Sequence, residues 1–246
     1  MPPRAAKTAT KVKPFQEIRQ DLASRTPILT YHDFLEKRGK GALWFDCTEK
    51  EFAEQIVWLK TKGATFISLD QLHEALTQGT GLPPKAVALT FADNYLGFYR
   101  FALPILRQYK IPGTMFVHTG YVGSSIGRPK MDWSHLRELE QEGLVKVGSQ
   151  TVSHPSDLRN LSPEELRSEF TESRKSLEDH LKVDIPYLAY PNGKWNATTC
   201  AAAKDAGYLM ALTEVTAPAE KSGSILSVNR YVHTKFRQAW RDAYGR

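Results

Sequence analysis

Short apolar runs alternate with amphipathic helical stretches from residue 28 onward, and this alternation limits the fold more than any other feature of the chain. The runs occupy residues 28–31, 64–69, 86–91, 114–118, 144–148, 185–190, 208–212 and 225–232. Between them lie helical patterns. Phe52, Ile56, Trp58 and Leu59 recur at helical spacing, and Thr48 with Glu51 forms a capping box ahead of them. Helices are also expected at 71–76, after Tyr95 to 109, at 132–141, at 162–181 behind a Ser162–Glu165 capping box, at 197–206, and at the C-terminus. Strand then helix, repeated about seven times, calls for parallel strands joined by crossover helices. The expected fold is α/β, a distorted (β/α) barrel of about seven parallel strands. No G-x-G-x-x-G or phosphate-loop pattern follows any run, so a nucleotide-binding doubly wound sheet has no support.

Residues 1–24 read as a basic N-terminal arm, rich in Ala, Lys, Thr and Pro up to residue 13, with a short helix over 15–23. Residues 25–246 read as one barrel domain, which a hydrophobic content of 41% is sufficient to fill. The net charge of +6 comes from scattered basic residues rather than a stripe, which argues against a nucleic-acid partner. No apolar run reaches the length of a membrane span, and the basic N-terminus lacks the apolar segment of a signal peptide. The expectation is a protein that stays inside, or one whose export signal lies outside this sequence. Cys47 and Cys200 lie far apart in a chain too large to need a staple, so a disulfide is allowed but not implied.

Chemistry-bearing residues gather where the runs end. His32-Asp33, Asp93-Asn94, Gln150 with His154, and Tyr190-Pro191-Asn192-Gly193 all follow apolar runs, and in a parallel barrel such positions converge on one rim. The central run, Ala86 to Phe91, stops abruptly at Ala92-Asp93-Asn94. Asp and His on one rim suit Zn²⁺ or a similar divalent ion. Taken singly, a strand-end His is more often structural and a lone Asp is more often a turn or cap residue.

Together these positions resemble the polysaccharide deacetylases with a NodB homology domain. The Thr-Phe-Asp-Asp-Gly motif of that family falls on Thr90-Phe91-Ala92-Asp93-Asn94, and its His-Ser/Thr-x-x-His-Pro motif on Gln150-Thr151-Val152-Ser153-His154-Pro155. Met131-Asp132-Trp133 and Tyr190 to Gly193 match two further elements. Tyr31-His32-Asp33 on the first strand is similar to the permuted branch acting on poly-N-acetylglucosamine. The resemblance implies metal-assisted hydrolysis of the acetamide C–N bond of an N-acetylated polysaccharide or oligosaccharide. It assigns Asp93, Gln150 and His154 to a divalent metal, Zn²⁺ first, His32 to the acid, and the Asn192 N–H to the oxyanion. Tyr190, Pro191, Trp133 and His118 become candidate substrate contacts.

Departures from the pattern stand beside the matches. The general-base position is Ala92, which cannot accept a proton; losing such a base removes ~10²–10⁴-fold in rate. Gln150 offers a neutral amide where the family has an imidazole. Asn94 replaces a glycine, a milder change because Asn tolerates a left-handed backbone. Ala189 stands where many members have an Arg holding the base. Two accounts fit: a deacetylase whose Asp has been exchanged for Ala, or a natural pseudoenzyme that binds carbohydrate without turnover. A scaffold that binds a partner through its N-terminal arm is a third. Trp44 and Tyr121 could stack on sugars or merely pack, His233 is the alternative acid, and His135 and His180 are expected at the helix surface. Ser149 and Ser153 lack a His-Asp relay, which disfavours a nucleophilic serine.

Overall fold

The computed structural model describes residues 15–245, so of the arm expected over 1–24 the first fourteen residues lie outside the described residues. The expected helix at 15–23 is absent. That segment has no regular secondary structure beyond a turn at residues 20–21, and the Arg19 N–H donates to the Leu76 carbonyl (2.8 Å). The chain then forms β1 (Ile28–Tyr31), β2 (Phe34–Leu35), β3 (Cys47–Thr48), α1 (Glu49–Thr61), β4 (Thr65–Ile67), α2 (Leu69–Gln78) and β5 (Ala86–Phe91). A π-helical turn (Phe98–Ala102) leads into α3 (Leu103–Tyr109), followed by β6 (Gly113–Val117), α4 (Trp133–Glu142), β7 (Val145–Ser149) and α5 (Pro163–Leu181). Last come β8 (Tyr187–Ala189), α6 (Ala197–Asp205), β9 (Met210–Leu212), β10 (Tyr231–Val232) and α7 (Phe236–Tyr244).

The main sheet is parallel throughout, in the order β10-β1-β5-β6-β7-β8-β9, with β4 paired to the first half of β5; β2 and β3 pair separately. Seven strands along one curled path match the expected barrel-like fold. The final strand departs from expectation. Instead of a run over 225–232, a 3₁₀ turn (Ile225–Ser227) precedes Val228, which exchanges hydrogen bonds with β9: its N–H donates to Ala211 and its carbonyl accepts from Thr213, both at 2.8 Å. Tyr231 and Val232 then pair with β1. One short segment thus touches both edges of the sheet, and between its two pairings Arg230 turns inward, 1% exposed.

Alternation along the strands decides what faces the interior. Phe91 packs outward against Phe52 of α1 and against Phe98 (4.6 Å), so Thr90 and Ala92 face the barrel axis. Both expected capping boxes form, Thr48 with Glu51 and Ser162 with Glu165, each satisfying helix-end N–H groups at ~1 kcal/mol. The helix after β5 starts as a π turn where Gly97 passes close to β2. A Cβ at Gly97 would collide with the Phe34 carbonyl and the Asp33 carboxylate. Cys47 and Cys200 are free thiols.

Candidate functional site at the strand C-termini

At the end of β5 the backbone bends sharply. Asp93 (φ 68°) and Asn94 (φ 38°) both adopt positive φ, a costly state for non-glycine residues that surrounding bonds must hold. The Ala92 N–H donates to the Tyr31 carbonyl (2.8 Å), and its methyl is fully buried where the base is expected. Three groups then fix Asp93. Its N–H donates to Gln150 Oε1 (2.9 Å), and its carbonyl accepts from His118 Nε2 (3.1 Å) and Lys130 Nζ (2.9 Å). Because a carbonyl only accepts, His118 must carry its proton on Nε2.

Gln150 follows β7. Ser149 points outward to the Ser173 hydroxyl of α5 (2.6 Å), which turns Gln150 inward, and its N–H is held by the Val117 carbonyl (2.8 Å). The amide nitrogen lies 3.2 Å from His154 Nε2, and that nitrogen lies 3.4 Å from Asp93 Oδ1. The loop carrying His154 also holds positive φ at Thr151 (70°) and His154 (53°). Glu169 of α5 clamps it, accepting from the N–H groups of Val152 (2.8 Å) and Ser153 (2.9 Å) and from the Ser153 hydroxyl.

The electrostatics follow from this crowding. Burial pushes the Asp93 carboxyl up, but His154, His32 and His118 more than offset it and hold the carboxyl well below its ordinary range. Burial, helped by Lys130, pushes His118 down to about 4, and burial brings Lys130 down to about 8. Lys130 lies over the Tyr95 ring, 3.3 Å from its centroid, held there by a backbone bridge between the two residues.

The expected acid, His32, follows β1 and points to the same rim. Its Nε2 lies 3.6 Å from Glu214 Oε1, which is 3.8 Å from Arg230 Nη2. Burial raises the Glu214 carboxyl, yet His32 and Arg230 outweigh that and leave it below its ordinary value. Arg230 also donates to the Thr213 carbonyl (2.6 Å) and the Thr30 hydroxyl (3.2 Å). His233, the alternative acid, is stacked on the outward-facing Tyr31 (5.0 Å, 16°), and burial lowers it to about 4. Asn192 (φ 56°) sits in the turn after β8, where Gly193 must be glycine because a Cβ would strike Glu214.

Two expected substrate contacts lie elsewhere. Tyr190 is fully buried outside the barrel, its hydroxyl donating to the Leu226 carbonyl (2.9 Å) beside Phe170 of α5. Strand alternation explains this: Ala189 faces in, so Tyr190 faces out. Pro191 is buried at the start of the turn. Trp133 stacks face to face on His180 of α5 (3.8 Å, 6°), so its ring and that of His180 serve helix packing. His118 does line the cluster, with Tyr121 at 4.9 Å, and Trp44, 65% exposed, stands against Phe45 beside His32.

Sequence reasoning missed Glu214, Lys130, Arg230 and Glu169. Glu214 lies just past β9 and follows the same strand-end rule as the others. Lys130 and Glu169 act across tertiary contacts with no local signature. An isolated Arg such as Arg230 reads as a surface residue.

The donor set does not fit a divalent ion. Among the described residues no group of three His, Cys, Asp or Glu side chains converges as ligands. Asp93 and His154 remain, while the third position is an amide whose oxygen is already used by the Asp93 N–H.

Residues 79–211 match the family model for polysaccharide deacetylase. The Bacillus subtilis protein YxkH is 27% identical over 214 residues, 87% of this chain and 73% of that protein. A poly-β-1,6-N-acetyl-D-glucosamine N-deacetylase of Staphylococcus aureus is 30% identical over 175 residues, spanning 66% of this chain and 59% of the relative. The Streptococcus pyogenes deacetylase PplD, solved in complex with acetate, superposes with a TM-score of 0.80 at 26% identity, covering 89% of this chain and 98% of that one. Among the described residues no helix is long and apolar enough to cross a membrane.

Proposed function

Because the chain belongs to the polysaccharide deacetylase family, we propose that it receives N-acetylated hexosamine polymers at the rim formed by His32, Asp93, His118 and His154, with strongly reduced or absent hydrolysis. The observation that carries this reading is Ala92. A methyl group, fully buried, occupies the place where a carboxylate would take a proton from the attacking water. Loss of such a base costs ~10²–10⁴-fold.

The remaining residues suit recognition. Imidazole groups offer hydrogen bonds to sugar hydroxyls and the acetamide, while Trp44 and Tyr121 present exposed rings beside them. His32 with Glu214 could still hold and deliver a proton to a leaving amine. That retained pair favours a second reading, a deacetylase of residual activity.

The test is acetate release from N-acetylglucosamine oligomers, with and without Zn²⁺ or Co²⁺, alongside calorimetric binding. The expected outcome is saturable binding without acetate above background. Robust acetate release by the unmodified chain would overturn the loss of turnover, and absence of binding would overturn recognition.

A further inference from the structure

The geometry points to Gln150 as a built-in substitute for the divalent ion, an amide clip that joins Asp93 to His154 and excludes metal from this site. The clip is a property of the cluster itself, whichever sugar the groove receives. Gln150 is 2% exposed, and the Asp93 N–H fixes which way its amide points. That N–H needs an acceptor, so Oε1 faces Asp93 and the NH₂ group must face His154 Nε2 at 3.2 Å. The His154 lone pair then accepts a proton donor where a metal would need it free. Turning the amide over to present oxygen would set its NH₂ against the Asp93 N–H, donor against donor, inside a buried turn.

The backbone strengthens the case. Asp93, Asn94, Thr151 and His154 all hold positive φ around this clip; Glu169 and the Val117 carbonyl pin the 150–154 segment, and His118 and Lys130 pin the Asp93 carbonyl on the other side. Asp93 Oδ1, which has no hydrogen-bond partner among the described residues, faces His154 Nε2 at 3.4 Å rather than an open coordination sphere. Fixed strain, a committed amide oxygen and an occupied imidazole lone pair leave the ion no third ligand.

Titration of the full chain with Co²⁺ tests this, read by its visible absorption and by the imidazole resonances of His154. The unmodified chain should give neither a spectrum nor a shift at His154. Gln150→His, which supplies a third strong ligand, should bind Co²⁺ at least ~10²-fold more tightly. Gln150→Glu preserves the side-chain shape and serves as the second variant should the imidazole disturb folding. Stoichiometric Co²⁺ binding by the unmodified chain with a shift at His154 would overturn the inference. So would silence from both variants when each unfolds cooperatively. Sugar binding enters none of these readouts, so failure here and failure of the proposed recognition are separable.

Discussion

Ala92 and Arg230 are a mismatched pair. Thr30 and Thr90 are register partners on neighbouring strands, Arg230 bonds the Thr30 hydroxyl, and Ala92 lies one inward step above Thr90. Strand register therefore sets the guanidinium at the level of Thr30 and Thr90, one inward step from the Ala92 methyl, with Glu214 as a nearby counter-ion. An Ala92→Asp side chain would enter a region that already holds a buried positive charge. We expect that variant to lose no more than about 1 kcal/mol, whereas removing the cation as well, in A92D/R230M, should cost the several kcal/mol of an unpaired buried carboxylate. Urea denaturation of the two variants decides this; equal stabilities would show that Arg230 does not reach position 92.

Elements position these residues through a few long connections. Helix α5 fixes the His154 loop through Glu169, and Glu169→Ala would leave the Val152 and Ser153 N–H groups without their acceptor. Faster amide exchange over 151–154 and a stability loss of about 1–2 kcal/mol are expected, since each lost bond is to a charged group at a partly exposed site. Unchanged exchange would show that Glu169 does not clamp the loop. Strands and caps were legible in the sequence because periodicity and capping are local: the Ser162–Glu165 box and the abrupt end of β5 are where they were expected. What depends on direction was not. Tyr190 was misplaced by one step of strand alternation, Trp133 by a helix–helix stack, and the break at 228–232 by the inward turn of Arg230, none of which leaves a trace in spacing.

For the whole molecule, acid should be the sensitive axis. His118 and His233 have ordinary values near 6.5 and are held at about 4 in the fold, so between those values the unfolded chain binds protons that the folded chain refuses. Their contribution is intact above about 6.5 and falls with pH toward 4, by ~1.4 kcal/mol per unit of displacement for each residue. Asp93, held low, acts in the same direction further down, below its ordinary 3.8. Urea midpoints at pH 7 and pH 4.5 should drop steeply, and His233→Phe, which keeps the stack on Tyr31, should flatten part of that slope. An unchanged slope in that variant would mean that His233 titrates normally in the fold.

The segment that spans both sheet edges also sets an order of events. Thr30 meets Arg230 across 200 residues of chain, and β1 pairs with β10 through Leu29 with Tyr231 and Thr30 with Val232. During synthesis β1 must therefore wait with one edge unpaired until β10 has left the ribosome. The rim cannot assemble before then, because Arg230 and the seam it closes arrive together, leaving the nascent chain dependent on shielding of that edge until residues 230–232 have emerged.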